Sequence, residues 1–298
     1  MKRLAILLIF LLTAGMVSSC GEPAPQAQIA ATTLPVYEFT CRIVEGTDLT
    51  VTRLVTESVS CLHDYSLNVR QVRAAEAAEV VVMSGAGLED FMDDLLMGKA
   101  TVDSSAGIDF LECTEAHDHD HDHDHDHDHG HTHEEDPHIW LSPENAKVMA
   151  ANVCGGLTSQ YPQYSDIFAS NLEGLLSDLD ALQSYGETQL KDLTCREIIT
   201  FHDGFAYFAE AFHLTILAAV EEESGSEASA QELKELIILV EEHSLPAIFT
   251  ETNGSPSAAE IISASTGAAV YALDMAMSGD SYFDIMYRNI DTIKEALG

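Results

Sequence analysis

Basic residues are scarce in this chain of 298 amino acids, which has 13 Lys and Arg against 50 Asp and Glu and a formal net charge of −37 at pH 7. Such an acidic chain repels the phosphates of nucleic acids and anionic lipid headgroups but attracts cations, so we expect cation binding and no nucleic acid partner. The motifs HExxH and GxSxG are also absent. Their absence removes the usual sequence signals of a zinc peptidase and of a serine hydrolase.

Cysteines are few, and no two of them form a CxxC pair, so a structural zinc site built from cysteines is not expected. Five cysteines follow Cys20, and because this number is odd, at least one of them is free or paired between chains. A bridge between Cys41 and Cys61 is one interpretation. The pairing is otherwise open among the five, which are Cys41, Cys61, Cys113, Cys154 and Cys195.

The amino terminus has an apolar run at 4–17, which is shorter than the about 20 residues that a helix needs to cross a bilayer. The run follows two basic residues and ends at a lipobox, the segment 17–20 with the sequence Val-Ser-Ser-Cys. We therefore predict a lipoprotein signal peptide over 1–19, lipid attachment at Cys20 and a flexible tether over 20–27. The mature protein would be extracytoplasmic and held to the membrane by its lipid, at the cell surface or in a periplasm.

Short β-rich runs alternate with helical patterns in two similar sets, which predicts an α/β fold of two lobes, 28–163 and 193–298. Each lobe is expected to hold a four-stranded, mainly parallel sheet flanked by helices. The predicted strands lie near 29–33, 50–55, 80–83, 107–111, 197–201, 214–220, 247–250 and 268–273. The predicted helices lie near 35–45, 68–77, 88–96, 204–212, 229–242 and 257–265, and another begins after Ser142, which would cap it.

The segment 164–192 between the lobes has leucines mostly at steps of three and four residues, which predicts one long helix with a single apolar stripe. At 1.5 Å per residue, such a helix is about 40 Å long. It would run along both lobes and link them rigidly.

The segment 117–133 has nine histidines that alternate with six aspartates and then with Gly130 and Thr132. Because it has no apolar residue to bury, we expect a loop outside the core. A low-complexity accident and an affinity tag are alternatives, but we favour an accessory loop that collects metal weakly at many sites. Its histidines are His117, His119, His121, His123, His125, His127, His129, His131 and His133.

Three other histidines lie at or near the ends of predicted strands or before a helix, where open α/β sheets bind their ligands: His63, His138 and His202. Two carboxylates, Glu251 and Asp274, directly follow strands of the second lobe. A lone histidine at a strand end is more often structural, and His213 and His243, which lie outside this pattern, are assigned to that class. Together, the three histidines and at least one carboxylate predict a metal site in the cleft between the lobes.

Six segments together resemble the solute-binding proteins of zinc and manganese ABC transporters, the long-helix class of metal receptors, over nearly all of the chain after Cys20. These segments are His63-Asp64-Tyr65, 80–89, 136–141, 201–208, 248–251 and Thr266-Gly267 ahead of Leu273-Asp274. The resemblance implies two lobes bridged by one long helix, with the metal between them. It further implies that His63, His138 and His202 are ligands and that Asp274 is the carboxylate ligand.

One departure concerns Leu62, because many zinc members have proline or an acidic residue just before the first ligand. The fourth ligand therefore stays open among Asp274, Glu251 and water. Three imidazoles and one carboxylate suit tetrahedral Zn²⁺, whereas Mn²⁺ prefers more oxygen, and the manganese members usually have glutamate in place of His202. Imidazole also suits copper, nickel and cobalt.

We therefore predict a monomeric, extracytoplasmic, high-affinity zinc receptor that delivers Zn²⁺ to the permease of an ABC importer and is not an enzyme. A receptor for manganese or another divalent metal within the same family is the main alternative. A zinc-dependent hydrolase is a weaker one, because no separate general base or substrate pocket is evident. Cell adhesion is a further alternative, without a repeat or an aromatic surface patch to support it.

Overall fold

The computed structural model describes residues 27–59, 62, 65–111, 135–221 and 228–298. The predicted lipidation site Cys20, the predicted ligand His63 and the histidine tract 117–133 lie outside the described residues. No described helix is both long and apolar enough to cross a membrane.

The first sheet has four parallel strands, and we call this half of the molecule the N-lobe. The strands are β1 (Ile29–Ala31), β2 (Val51–Arg53), β3 (Val80–Met83) and β4 (Ala100–Asp103), in the spatial order β2-β1-β3-β4. Strand β1 is completely buried, as is most of β3, because helices cover both faces of a parallel sheet. These central strands are accordingly continuous apolar runs and do not alternate.

The second sheet repeats this topology, and we call this half the C-lobe. Its strands are β5 (Glu197–His202), β6 (Thr215–Glu221), β7 (Ala247–Glu251) and β8 (Ala269–Leu273), in the spatial order β6-β5-β7-β8 and all parallel. The predicted fold class of two lobes with four-stranded parallel sheets is confirmed. In both sheets, the first strand in sequence lies between the second and the third, so the carboxyl ends of central strands from each lobe are available to one cleft.

Nine α-helices lie among the described residues. They are α1 (Leu34–Ile43), α2 (Val69–Ala77), α3 (Asp93–Leu96), α4 (Pro143–Gln160), α5 (Ser165–Leu190), α6 (Ala206–Ala211), α7 (Ala230–His243), α8 (Ser257–Thr266) and α9 (Tyr282–Leu297). Helix α4 begins where the sequence predicts, because the Ser142 hydroxyl accepts a hydrogen bond from the Asn145 N–H at 3.4 Å and Pro143 occupies the first turn.

Helix α5 is the predicted long helix, with 26 residues and hence a length of about 39 Å. The centre of its apolar stripe, formed by Phe168, Leu175, Leu179 and Leu182, is completely buried. The helix packs against α1 and α4 of the N-lobe and against α9 of the C-lobe. One continuous apolar core therefore runs through both lobes along this helix.

The predicted strand at 107–111 is wrong, because the fourth strand of the N-lobe is β4, some residues earlier. Only Val102 of its four residues is buried, so the strand carries almost no hydrophobic signal. The later segment is apolar because Ile108 packs into the core from a turn, in which the Ile108 N–H donates to the Ser105 carbonyl oxygen at 3.1 Å. Apolar residues therefore led to a strand being predicted at a buried loop, 107–111, while the edge strand β4, which is mostly polar or exposed, was not predicted.

The cysteine pairing is also corrected. Cys41, Cys154 and Cys195 carry free thiols, so the suggested bridge from Cys41 to Cys61 is not formed. Burial raises the pKa of the Cys41 thiol, which also forms a hydrogen bond with Tyr37. Cys61 and Cys113 lie outside the described residues.

Candidate metal site between the lobes

His138 is held by a carboxylate two residues earlier in the same loop. Its backbone N–H donates to Oδ1 of Asp136 at 2.9 Å, and its ring nitrogen Nδ1 lies 2.7 Å from the same oxygen. Asp136 is itself fixed, because its N–H donates to the Leu111 carbonyl oxygen and its own carbonyl accepts from the Tyr207 hydroxyl at 2.9 Å. A carboxylate at Nδ1 favours the proton there and leaves Nε2 of His138 as a metal donor.

His202 is the last residue of β5, and Glu251 is the last residue of the neighbouring strand β7. Thr200 pairs with Phe249, so this parallel register brings His202 beside Glu251. Oε1 of Glu251 lies 3.8 Å from Nδ1 of His202, and both side chains are buried. The carboxylate of Glu251 therefore lies nearest Nδ1 of the His202 ring, just as the carboxylate of Asp136 lies nearest Nδ1 of the His138 ring.

The two imidazoles meet across the cleft, with Nε2 of His138 3.3 Å from Nε2 of His202. Two nitrogen ligands at 2.0–2.1 Å from one tetrahedral Zn²⁺ ion are about 3.3 Å apart, so the observed separation fits a shared zinc ion. Gly204 allows this approach, because a Cβ there would lie 2.7 Å from the ring of His202 and 3.0 Å from that of His138.

Asp274 follows β8 and is pinned by α9. The Asp274 N–H donates to Oδ1 of Asn289 at 3.0 Å, and Nδ2 of Asn289 donates to the Asp274 carbonyl oxygen at 2.7 Å. Its carboxylate accepts from the Ala276 N–H at 2.9 Å and lies 3.7 Å from the Arg288 guanidinium. With 19% of the side chain exposed, this carboxylate faces its own loop and partly faces solvent.

The structure therefore brings His138 and His202 together and places Glu251 behind His202. Within the described residues, no group of three or more His, Cys, Asp or Glu side chains is arranged to hold a metal ion. The third predicted histidine ligand, His63, lies outside them, as does the tract 117–133. Asp136 was missed, although an aspartate two residues before a predicted ligand histidine is a signal that could have found it.

Buried hydrogen bonds join the lobes beside the histidine pair. The indole N–H of Trp140, in the N-lobe, donates to the Met275 carbonyl oxygen of the C-lobe at 2.7 Å. The hydroxyl of Tyr282, in α9, donates to the Trp140 carbonyl oxygen at 2.7 Å. At the rim of the cleft, Nη1 of Arg53 donates to the Gly279 carbonyl oxygen at 2.9 Å. The lobes are therefore closed on each other around the pair.

A buried carboxylate also lies under the strand ends of the N-lobe. Glu89 accepts hydrogen bonds from the Thr32 hydroxyl at 2.5 Å, the Ser84 N–H at 2.8 Å and the Gly85 N–H at 3.0 Å. Burial nevertheless raises the pKa of Glu89 to about 7. Glu89 thus ties the end of β1 to the turn after β3, where Gly85 has a φ of +85°.

The two histidines assigned to structural roles lie outside the cleft pair. His213 is an exposed turn residue with a φ of +58°. His243 ends α7 and places Nδ1 2.9 Å from Oε2 of Glu197 in a partly exposed pair.

The sequence matches a known family over residues 29–296, and this family is described as ZnuA, the periplasmic component A of a zinc-uptake complex. The chain therefore belongs to the ZnuA family. The predicted class, an extracytoplasmic metal receptor of the long-helix type, is confirmed at the level of the family, as is its role in zinc uptake.

Individual relatives agree with this assignment. The high-affinity zinc uptake system protein ZnuA of Bacillus subtilis strain 168 is 28% identical, over 95% of this chain and 94% of that protein. The zinc-binding lipoprotein AdcA of Streptococcus pneumoniae serotype 4 is 27% identical, over 99% of this chain and 61% of that protein. A crystal structure of ZnuA has a TM-score of 0.77 and 30% identity, covering 91% of this chain and 99% of that one.

Proposed function

We propose that this protein is an extracytoplasmic receptor that captures Zn²⁺ with high affinity between its lobes and delivers it to the permease of an ABC importer. The observation that carries the proposal is the separation of 3.3 Å between Nε2 of His138 and Nε2 of His202, which matches two corners of a tetrahedral zinc site. Membership of a zinc-uptake family supports zinc as the transported ion.

The proposed ligands are His63, His138 and His202, with Asp274 as the fourth. His138 belongs to the N-lobe and His202 to the C-lobe, so a bound ion would be shared between the lobes. Oδ1 of Asp274 accepts a hydrogen bond from the Ala276 N–H and the Asp274 backbone is held by Asn289, so Oδ2 is the oxygen we propose as the ligand atom.

Zinc fits this donor set better than manganese does. Neutral imidazole is a borderline donor that suits Zn²⁺, whereas Mn²⁺ prefers carboxylate and carbonyl oxygens. The buried imidazole pair supplies two nitrogens on one side of the ion, and the carboxylates Asp136 and Glu251 both face Nδ1 atoms. A manganese site would favour more oxygen ligands than this donor set supplies.

Release is expected to require only a small movement of the lobes. Helix α5 packs on both lobes, and the Trp140 indole joins them by a buried hydrogen bond. Such contacts favour a limited shift over a wide hinge motion. Because each lobe contributes a histidine, even a small separation would break the ligand set.

The anchor and the tract complete the proposal. We infer that Cys20 carries the lipid, that the mature protein is a monomer and that the tract 117–133 is an accessory segment that collects zinc. If so, Cys20→Ala would release the protein into the soluble extracytoplasmic fraction or leave its leader uncleaved. A Cys20→Ala protein that stays on the membrane with a processed amino terminus would contradict the anchor.

The proposed function is tested by titrating the purified, chelator-stripped protein with Zn²⁺, Mn²⁺, Cu²⁺ and Ni²⁺ in the presence of a competing chelator. Native mass spectrometry of the protein isolated from cells then identifies the metal that it carries. We expect one tight zinc ion together with weaker ones. Tighter binding of manganese than of zinc, or no tight site at all, would reject a zinc receptor.

A further inference from the structure

We propose that Glu251 is a positioning residue for His202 and not a zinc ligand, and that Asp136 positions His138 in the same way. The inference rests on the proposed zinc site and concerns the groups behind its imidazoles. It assigns a role to two buried carboxylates and removes Glu251 from the candidates for the fourth ligand.

Asp136 is preorganised by its own loop. A single oxygen of its carboxylate contacts both the backbone nitrogen and the ring Nδ1 of His138, at 2.9 and 2.7 Å. Pro137, between the two residues, restricts the backbone of this short turn. The carboxylate is buried, so its hydrogen bonds do not compete with bulk water. The orientation of the His138 ring is therefore set before any ion arrives.

Glu251 reaches His202 from the neighbouring strand. Because the two residues end adjacent parallel strands, their side chains are neighbours, and Oε1 of Glu251 lies 3.8 Å from Nδ1 of His202. An ion shared by the two Nε2 atoms lies on the opposite side of the His202 ring. A shortening of the contact between Oε1 and Nδ1 by about 1 Å would give a hydrogen bond to the ring nitrogen that does not face the ion.

Such carboxylates act on the metal through the imidazole. A hydrogen bond at Nδ1 fixes the tautomer, orients the ring and makes Nε2 a stronger donor, and its loss typically lowers metal affinity 10- to 100-fold. The two carboxylates also place negative charge behind the imidazoles, which helps to balance the charge of a buried divalent cation. Asp136 and Glu251 are thus equivalent in role although they come from different parts of the fold.

The test compares Glu251→Gln and Glu251→Ala, and Asp136→Asn and Asp136→Ala, in the full chain. Affinity of the tight site is measured by competition between the protein and a chelating indicator for Zn²⁺. Absorption of the Co²⁺-loaded protein reports the number and type of ligands. The matched control is Glu197→Gln, since Glu197 holds His243 in a similar carboxylate–histidine pair at 2.9 Å away from the cleft.

We expect zinc affinity to fall 10- to 100-fold, with the amide variants less affected than the alanine variants because an amide oxygen can still accept from Nδ1. The Co²⁺ spectrum should keep the shape of a four-coordinate site, and the control should bind zinc as the parent does. The amide variants keep the size of the parent side chains, so they decide the result if the alanine variants fail to fold.

Two results would overturn the inference. Zinc affinities of Glu251→Gln and Glu251→Ala that are both within twofold of the parent would show that Glu251 has no such role, and a changed Co²⁺ coordination number would make it a ligand. The proposed zinc site itself fails on a different result, which is retention of tight zinc binding by His202→Ala. The two failures are therefore distinguishable.

Discussion

In the N-lobe, His138 is oriented by a carboxylate two residues away in its own loop, whereas in the C-lobe His202 faces a carboxylate that lies 49 positions further along the chain. The first arrangement needs only a short turn with Pro137. The second exists only once β5 and β7 are paired in the correct register. The comparison teaches that a carboxylate can be brought toward Nδ1 of a histidine by local sequence in one lobe and by sheet topology in the other.

The largest effect is expected from removing either imidazole of the pair. His138→Ala and His202→Ala should each weaken tight zinc binding about 1,000-fold, or about 4 kcal/mol, because each removes one of the proposed ligands and breaks the link between lobes. Isothermal titration with a competing chelator measures the loss. The matched control, His243→Ala, removes a histidine of the C-lobe outside the cleft and should bind as the parent does. Unequal losses would show that one lobe dominates binding.

The N-lobe also holds the buried carboxylate Glu89. Its titration should make the free energy of unfolding depend on pH. The folded-state pKa of Glu89, about 7, lies above its ordinary value of 4.5, so the folded state binds more protons in this window. Its stabilising contribution is complete below about pH 4.5 and is lost as the pH rises through 7, a change of about 3 kcal/mol.

Glu89→Gln has no such titration, so the free energy of unfolding should depend less steeply on pH between 5 and 8 in the variant. Chemical denaturation at several pH values measures both slopes. Glu45→Gln, an exposed site at the end of α1, is the control and should keep the parent slope. Parallel curves for the parent and Glu89→Gln would contradict the assignment.

Replacing a histidine of the pair by glutamate should have different effects on metal preference in the two lobes. His202→Glu replaces a borderline nitrogen with a hard oxygen donor, so zinc affinity should fall while manganese affinity rises or holds. The ratio of the two should change 10- to 100-fold, about 1.4 to 2.8 kcal/mol. His138→Glu should instead lose both metals, because the new carboxylate would lie beside Asp136. Titrations with both ions measure the ratios.

The control for this exchange is His213→Glu, which we expect to leave metal binding unchanged because His213 is an exposed turn residue. If His202→Glu binds zinc as tightly as the parent, His202 is not a ligand and the three-histidine site must be redrawn.

The smallest effect on the tight site is expected from deleting 117–133. The sequence of the tract has many donors but no apolar residues to fix them in a core, so the deletion should lower the number of zinc ions bound per chain. The affinity of the tightest site should stay within about tenfold of the parent, or roughly 1.4 kcal/mol. Native mass spectrometry gives the number and competition titration gives the affinity. Loss of all tight binding would make the tract the primary site.

The errors of prediction have different origins. Strand β4 was missed because an edge strand with only Val102 buried shows no hydrophobic pattern. Helix α9 was missed although its buried residues, which include Ile285, Ile290 and Ile293, lie on one face and could have revealed it. The suggested Cys41–Cys61 bridge failed because a count of cysteines carries no information about their distance.

The sequence by itself determined the two-lobe α/β fold, the long helix and the family. Local sequence patterns are enough to recognise buried parallel strands, an apolar stripe and segments such as Asp136-Pro137-His138. The sequence also identified His138 and His202 as candidate ligands from their places beside a helix and a strand end. Only the tertiary structure decided that their Nε2 atoms lie 3.3 Å apart and that Oε1 of Glu251 lies 3.8 Å from Nδ1 of His202. Distances across a cleft and between strands depend on register and lobe closure, which arise when the whole core packs and which no local pattern encodes.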